Sequence, residues 1–220
     1  LSIGLKGEIR EGKKLIDFNN VSVGYEKTLI SDITFTLFGR DHLAVMGANG
    51  IGKSTFGKVL LNELKPLSGD IRRYFHMSIG VLRQDIRSYS SDETLFQHFR
   101  NLYPRMSNEE IYSGLGRYAF TYQESNEKRL CDLSGGELMR TELLHLSLDN
   151  YDPLLLDEPP NHLDMLSISE LVDALNDYEG TLVIVSHDRD FVDKTCNKLL
   201  YLYNGKGYYY EGPYEEFKEK

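Results

Sequence analysis

The stretch Gly47-Ala48-Asn49-Gly50-Ile51-Gly52-Lys53-Ser54-Thr55 decides the fold. It follows the pattern G-x-x-x-x-G-K-S, which is typical of a phosphate-binding loop, or P-loop. The apolar run at residues 43–46 predicts a buried strand before the loop, and the apolar spacing over residues 56–64 predicts a helix after it. Inward-turned backbone N–H groups and the positive end of the new helix favour a bound anion.

Two side chains of the loop have predicted roles of their own. Lys53 supplies a cation for the β and γ phosphates of a nucleotide, and Ser54 offers a hydroxyl to Mg²⁺. The alternative is a glycine-rich turn without a ligand. Because the Lys-Ser pair stands between a predicted strand and a predicted helix, we prefer the phosphate-binding interpretation.

Composition restricts the class of protein. The chain has 220 residues, 40% hydrophobic and 27% charged, which suits one domain with a subdomain. A net charge of −9 argues against strong nucleic-acid binding by the domain alone, so no DNA partner is expected. Cys131 and Cys196 indicate neither a zinc site nor a disulfide framework, which fits a reducing cytoplasm. No apolar run approaches the length of a membrane span, so no membrane insertion is expected.

Strand and helix patterns alternate along the chain, which predicts an α/β fold with a mostly parallel core sheet. Strand patterns cover residues 15–23, 29–37, 71–75, 79–82, 154–156 and 182–185, with a hairpin at 199–203 and 207–210. Helical spacing covers residues 168–175, and a short helix or tail follows from residue 214. We assign residues 1–14 to a lead-in, and residues 15–86 and 151–220 to the core of the domain.

Residues 87–150 differ in character and are predicted to form a helical subdomain. Helical patterns cover residues 94–102, 108–115 and 118–122, and a polar loop is expected at 123–128. Another helix is predicted to begin in the stretch Leu133-Ser134-Gly135-Gly136-Glu137 and to run to about residue 148. Its start offers a second set of N–H groups and a hydroxyl to a phosphate, although an ordinary capped helix start explains these residues equally well.

Chemically reactive side chains follow the strands that are expected to neighbour the P-loop strand. Ligands of open parallel sheets bind beyond the carboxyl ends of the strands. Asp157 ends one apolar strand and would hold Mg²⁺ beside Ser54, while Glu158 would polarise the water that attacks the γ-phosphoryl group. The alternative for this acidic pair is a helix or strand cap.

Three further residues have weaker signals. His187 follows a strand and would contact the γ-phosphate and hold the attacking water, although a histidine there is more often structural. Gln84 would join Mg²⁺ and the water to the helical subdomain, and its alternative is a loop amide. Tyr25 would stack on a nucleotide base, but it is one of 15 tyrosines.

Together these residues resemble the nucleotide-binding domains of ATP-binding-cassette (ABC) proteins. The order is Tyr25, the P-loop or Walker A motif, Gln84, the signature Leu133–Glu137, the Walker B strand with Asp157 and Glu158, the D-loop Asp164 and then His187. For Asp164, a helix cap is a serious alternative. The resemblance covers nearly the whole chain. It implies that residues 15–86 and 151–220 form an ATPase core with an antiparallel β subdomain, and that residues 87–150 form an α-helical subdomain.

The finer resemblance is to the ABC-F branch of soluble translation factors. That branch typically carries D-E-P-T-N-H-L-D, and this chain has Asp157-Glu158-Pro159-Pro160-Asn161-His162-Leu163-Asp164. The switch region at 186–193, the residues at 115–118 and the tyrosine-rich tail at 208–214 are also similar, and no long charged arm separates Gln84 from Leu133. This resembles the second, C-terminal cassette of such proteins. Pro160 departs from the usual threonine and puts the rate and the communication between cassettes in doubt, since proline lacks a hydroxyl and an N–H.

The resemblance implies a Mg²⁺-dependent ATPase whose site is shared between two cassettes, of the same chain or of a dimer. The Ser134–Glu137 signature of one cassette would close on the ATP bound by the other, so an isolated domain would hydrolyse ATP slowly. In the ABC-F branch, closure controls binding to the ribosome, in translation or in protection from antibiotics. Two alternatives stay open: the ATPase subunit of a membrane ABC transporter, and an ATP-dependent clamp with negligible hydrolysis.

Overall fold

The computed structural model describes residues 11–83, 89–159 and 163–218. These residues divide into two compact units. The sheet unit comprises residues 11–83, 151–159 and 179–218, and the helical unit comprises residues 89–150 and 163–178. Most of the predicted lead-in, residue Gln84 and residues 160–162 lie outside the described residues.

The sheet unit contains one sheet of nine strands within the described residues, in the order β4-β1-β2-β9-β8-β3-β7-β6-β5. The strands are β1 (Lys14–Gly24), β2 (Thr28–Phe38), β3 (His42–Gly47), β4 (Ser68–Arg73), β5 (Gly80–Leu82), β6 (Leu154–Asp157), β7 (Leu182–Val185), β8 (Lys198–Tyr203) and β9 (Lys206–Glu211). The pairs in the run β8-β3-β7-β6-β5 are parallel, and so is the pair of β2 with β9. The run β4-β1-β2 and the pair of β8 with β9 are antiparallel. The predicted mostly parallel core with an antiparallel β subdomain is confirmed.

Three aromatic rings pack helix α1 (Lys53–Leu60) onto this sheet. Phe18 and Phe35 stack at a centroid distance of 4.7 Å, and Phe56 of α1 lies 5.5 Å from Phe18. All three side chains are buried. Aromatic pairs in such geometry add to the free energy gained by burial alone. Phe56 therefore anchors the helix that follows the P-loop to the sheet.

The helical unit consists of α2 (Leu95–Leu102), α3 (Asn108–Arg117), α4 (Tyr122–Glu127), a 3₁₀ turn (Leu130–Asp132), α5 (Gly135–Leu148) and α6 (Met165–Asn176). Capping boxes begin α2 at Thr94, α3 at Ser107, α4 at Thr121 and α5 at Ser134. The unit includes α6, which the sequence analysis assigned to the core, because α6 packs against α5.

Some predicted element bounds are wrong. The predicted helix at 118–122 does not form, since Ala119 takes a left-handed φ of +61° just after α3. The predicted loop at 123–128 is mostly helix α4, because Thr121 and Glu124 cap it. In the sheet unit, α1 ends at Leu60 rather than continuing to residue 64. This unit also contains helices α7 (Arg189–Thr195) and α8 (Tyr214–Lys218). Helix α7 was not predicted.

Candidate functional site

The P-loop connects β3 to α1 at the carboxyl edge of the parallel strands. Gly50 and Gly52 have φ values of +76° and +125°, in the region that favours glycine. At Gly47, a Cβ atom would lie 2.7 Å from the Leu202 carbonyl oxygen, so only glycine fits between these strands. Gly52 is the N-cap of α1 and supplies no side-chain cap, which leaves the first N–H groups of the helix for another acceptor.

Lys53 is buried at the first position of α1. Its ammonium group donates hydrogen bonds to the carbonyl oxygens of Gly47, at 2.8 Å, and Ala48, at 3.2 Å. The side chain therefore curls back over the loop, while Asn49 and Ser54 are exposed. A lysine ammonium group beside a helix start without a side-chain cap suits the binding of a phosphate.

The parallel register brings two neighbouring strand ends next to the P-loop strand. Val185 of β7 pairs with Val45 of β3 on one side and with Asp157 of β6 on the other. The residues that follow, Glu158 and His187, extend beyond this edge. The sheet thus groups Asp157, Glu158 and His187 as the sequence analysis expected from topology.

Glu158 and His187 contact each other directly. Oε2 of Glu158 lies 2.9 Å from His187 Nδ1 and 3.4 Å from the His187 backbone nitrogen. Because a carboxylate only accepts hydrogen bonds, this contact requires a proton on Nδ1 of His187. Glu158 has only 12% of its side chain exposed, against 52% for His187. The sequence did not indicate this contact.

The backbone at Glu158 has an unusual conformation. Its φ is +50°, a left-handed value that is uncommon for a residue with a Cβ atom. The N–H of Glu158 donates to the Val185 carbonyl oxygen at 2.8 Å, which holds the turn in place. Left-handed backbone at non-glycine residues concentrates at functional sites. The turn follows the end of β6 at Asp157 and brings Glu158 to its contact with His187.

The surroundings of Asp157 raise the pKa of its carboxyl group. Burial and the neighbouring charge of Glu158 raise its pKa, while Arg83 and Lys53 partly oppose the rise. A half-buried carboxylate beside another carboxylate favours a cation. A cation bound next to Asp157 and Glu158 would therefore stabilise their ionised forms.

The oxygen donors of this region fit a magnesium ion. Mg²⁺ prefers hard oxygen ligands, such as the Asp157 carboxylate and the Ser54 hydroxyl, and usually binds one or two carboxylates together with substrate phosphates and water. Within the described residues, no group of three or more His, Cys, Asp and Glu side chains could hold a metal alone. This donor set suits an ion that arrives with a phosphate. The third predicted ligand, Gln84, lies outside the described residues.

Tyr25 lies in the turn between β1 and β2 and is 54% exposed. Its hydroxyl accepts a hydrogen bond from Lys58 of α1 at 3.0 Å, and this bond lowers the pKa of the phenol. The exposed ring near the P-loop helix has the accessibility that stacking on a base requires.

The signature residues lie in the helical unit, where Ser134 caps α5. Its hydroxyl accepts from the Glu137 N–H at 3.3 Å, and Glu137 accepts from the Ser134 N–H at 2.9 Å. Lys128 also contacts Glu137. Burial raises the pKa of Glu137, but the bonds from Lys128 and Ser134 outweigh it and leave the pKa below its usual range. The helix start is thus capped from within the unit, with Ser134 and Gly135 exposed.

Gly136 and Asp164 connect α5 to the beginning of α6. A Cβ at Gly136 would lie 2.4 Å from Ser167 Oγ, so the two helices approach closely there. Asp164 is the N-cap of α6 and accepts from the Ser167 N–H at 2.8 Å, which lowers its pKa. Within this chain, Asp164 is therefore a helix cap, which was the alternative interpretation. Its D-loop role stays a prediction.

The fold and these residues define a P-loop nucleotide-binding domain. The family model described as "ABC transporter" matches residues 30–161. Since the match covers more than half of the chain, the chain belongs to the ABC transporter family, as one of its ATP-binding domains.

Curated relatives share this domain over nearly the whole chain. YdiF of Bacillus subtilis is 35% identical over 213 residues, 96% of this chain and 33% of that protein. The ATP-binding protein Uup of Haemophilus influenzae is 38% identical over 209 residues, 90% of this chain and 31% of that protein. The ABC transporter ATP-binding protein ARB1 of Saccharomyces cerevisiae is 32% identical over 217 residues, 94% of this chain and 35% of that protein. The chain spans about a third of the length of these relatives.

Solved structures share the fold. CbiO1 from Clostridium perfringens, part of the ABC transporter complex CbiONQ, superposes with a TM-score of 0.75 at 24% identity, over 94% of this chain and 91% of that chain. A bacterial Atm1-family ABC exporter with ATP bound gives 0.70 at 20% identity, over 95% of this chain and 40% of that chain. Among the described residues, no helix is long and apolar enough to cross a membrane.

Proposed function

We propose that this chain is one cassette of an ABC-F protein, which binds and hydrolyses Mg²⁺-ATP and closes against a second cassette to control ribosome binding. The observation that carries the hydrolytic part is the Glu158–His187 contact, which sits one residue beyond the metal-binding candidate Asp157. In the sheet, β7 pairs with β3, the strand that enters the P-loop, and β6 with Asp157 pairs with β7 on its other side.

Each residue has a distinct task in this proposal. The N–H groups of residues 47–55 and the Lys53 ammonium bind the phosphates, and Tyr25 stacks on the base. Asp157, Ser54 and Gln84 would hold Mg²⁺, which neutralises phosphate charge when bound. Glu158 accepts a proton from the attacking water as general base.

His187 positions that base. Its Nδ1–H and backbone N–H hold one oxygen of Glu158, so the other oxygen is left to orient water. Contact between His187 and the γ-phosphate would need a second proton, on Nε2, because phosphate oxygens accept hydrogen bonds and Nδ1 faces Glu158.

A second cassette is proposed to complete the site with its own signature. In return, the signature of this chain, residues Leu133–Glu137, would close on the ATP bound by that second cassette. The relatives are about three times as long as this chain, which leaves room for another such domain in the same polypeptide. We place this chain as the C-terminal cassette on the motif resemblance in residues 157–164 and 208–214. We expect the isolated domain to hydrolyse ATP slowly. We place the protein in the cytoplasm.

The ribosome is the proposed partner of the full-length protein, either in translation or in protection from an antibiotic. The alternative is the ATPase subunit of a membrane transporter, the kind of assembly to which CbiO1 belongs. At 24% identity, that likeness is one of fold, whereas the Asp157–Asp164 motif resembles the ABC-F pattern.

Glu158→Gln separates these possibilities. The amide cannot accept the proton, so we expect ATP binding to persist while phosphate release falls by about 10²-fold or more. The variant of the full-length protein should also pellet with ribosomes in the presence of ATP and not in its absence. His187→Ala serves as a comparison, since it removes the side-chain donor to Glu158 but leaves the base.

Unchanged phosphate release in Glu158→Gln would contradict the assignment of the base. Loss of release without ATP-dependent pelleting would keep the ATPase assignment and favour the transporter alternative. No measurable turnover by the wild-type full-length protein, with ATP-dependent closure preserved, would favour a clamp.

A further inference from the structure

Arg83 is a cation at the candidate site that the roles above do not use. It follows β5, and the register pairs Leu82 of β5 with Leu156 of β6. The next residues on the two parallel strands are Arg83 and Asp157, which therefore lie side by side at the carboxyl edge of the sheet. Neighbouring strands are about 4.8 Å apart, well within the reach of an arginine side chain.

Arg83 is also the more available of the two cations near Asp157. The Lys53 ammonium is engaged by the carbonyl oxygens of Gly47 and Ala48. In contrast, the Arg83 guanidinium has an ion pair with Glu63 at 3.7 Å, in which the side chains are 62% and 48% exposed. Such an exposed pair contributes little free energy, so the guanidinium can exchange partners at small cost.

We propose that Arg83 is the counterion of Asp157 before the metal arrives, and that it sets how much Mg²⁺ the nucleotide site requires. This inference rests on the Mg²⁺-ATP part of the proposed function. The charge of Arg83 offsets the adjacent carboxylates of Asp157 and Glu158. Free Mg²⁺ is then repelled from the empty acidic pair, and the ion binds together with ATP.

The electrostatics of the site agree with this role. Arg83 and Asp157 follow paired residues of neighbouring parallel strands, so their opposite charges lie at the same edge of the sheet. The guanidinium pairs with Glu63, so it keeps a partner when a metal ion occupies the Asp157 side. Arg83 is therefore a positioning residue that acts through Asp157 and makes no contact with the reacting atoms.

Arg83→Met removes the charge and keeps much of the side-chain length. The measurement is the Mg²⁺ concentration that half-saturates binding of a fluorescent ATP analogue, with Mn²⁺ binding in the absence of nucleotide as a second readout. Removing one positive charge near a divalent ion should lower both half-saturating concentrations by about 3- to 10-fold, less at high salt. Arg83→Lys should stay close to the wild type, because it keeps the charge.

Arg129→Met is the matched control. Arg129 lies in the helical unit, is 56% exposed and pairs with Asp92 at 3.6 Å, so this variant has the same net charge as Arg83→Met. We expect its metal requirement to stay within twofold of the wild type.

The outcomes separate this inference from the proposed function. If the wild type binds the ATP analogue and Arg83→Met behaves like Arg129→Met, the inference is wrong and the proposed function stands. A higher Mg²⁺ requirement, or loss of ATP affinity in the presence of EDTA, would mean that Arg83 binds phosphate directly. A wild-type protein that binds no ATP would overturn both.

Discussion

Replacing Gly136 with alanine probes how the signature helix α5 is held against α6. A Cβ atom at Gly136 would lie 2.4 Å from Oγ and 2.5 Å from Cβ of Ser167, closer than non-bonded atoms approach. The adjacent Gly135 provides a matched control, because its Cβ would lie 3.8 Å from Leu163 Cδ2, an ordinary contact. Both glycines belong to the first turn of α5.

The expected magnitudes follow from these contacts. Alanine is favoured over glycine in a helix by up to about 1 kcal/mol, so Gly135→Ala should be neutral or slightly stabilising. Overpacking of a close contact costs about 1–3 kcal/mol. We therefore expect Gly136→Ala to be about 1–3 kcal/mol less stable than Gly135→Ala. Ser167→Gly removes both clashing atoms, so the double variant should recover most of that difference.

The assay is urea unfolding followed by far-UV circular dichroism, with the four variants and the wild type compared at equal m-value. A double-mutant cycle then gives the coupling free energy between positions 136 and 167, which should be about 1–3 kcal/mol. Equal stability of the two alanine variants within about 0.5 kcal/mol would refute the packing argument. The argument would also be refuted if the stability of the double variant equalled the sum of the effects of Ser167→Gly and Gly136→Ala.

Two further predictions concern the sheet unit and the helical unit. Lys53→Ala should weaken ATP-analogue binding by about tenfold or more, because a charge-assisted contact to phosphate is lost, and an unchanged dissociation constant would contradict its role. In the helical unit, burial and then the charge of His98 lower the pKa of His145 from 6.5 to about 4. The folded chain therefore keeps this ring neutral, while the unfolded chain binds a proton below pH 6.5. Its contribution to stability is present above pH 6.5 and is lost as the pH falls towards 4, by about 1–2 kcal/mol for a partly exposed ring. Urea titrations at pH 7.5 and 5 should show this slope in the wild type and less of it in His145→Gln; equal slopes would contradict it.

Strong local patterns made much of the fold predictable from the sequence. The P-loop, the apolar strands β6 and β7 and the capped helix α5 each have a signal that spans only a few adjacent residues. Helix α4 also had such a signal, the capping box formed by Thr121 and Glu124. Its polar composition concealed the helix, because six residues leave no room for an apolar stripe.

Contacts between distant residues were not predictable in the same way. The pairing of Glu158 with His187 depends on the register of β6 with β7, and the proximity of Arg83 to Asp157 depends on that of β5 with β6. Sequence patterns place residues at strand ends, but they do not fix which strands are neighbours. Likewise, Gly135 and Gly136 look equivalent in the sequence, and only the approach of Ser167 distinguishes them.

The left-handed backbone at Glu158 ends β6 and brings this residue to His187. In an extended strand, successive side chains point to opposite faces, so Glu158 would turn away from the side on which Asp157 lies. A φ of +50° ends that alternation, and the resulting turn is held by the bond from Glu158 N–H to Val185 and by the His187 contact. Such a conformation costs about 1–3 kcal/mol in a residue with a Cβ atom. Glycine would avoid this cost but would carry no carboxylate, so the strain is consistent with a site in which the carboxylate itself is needed.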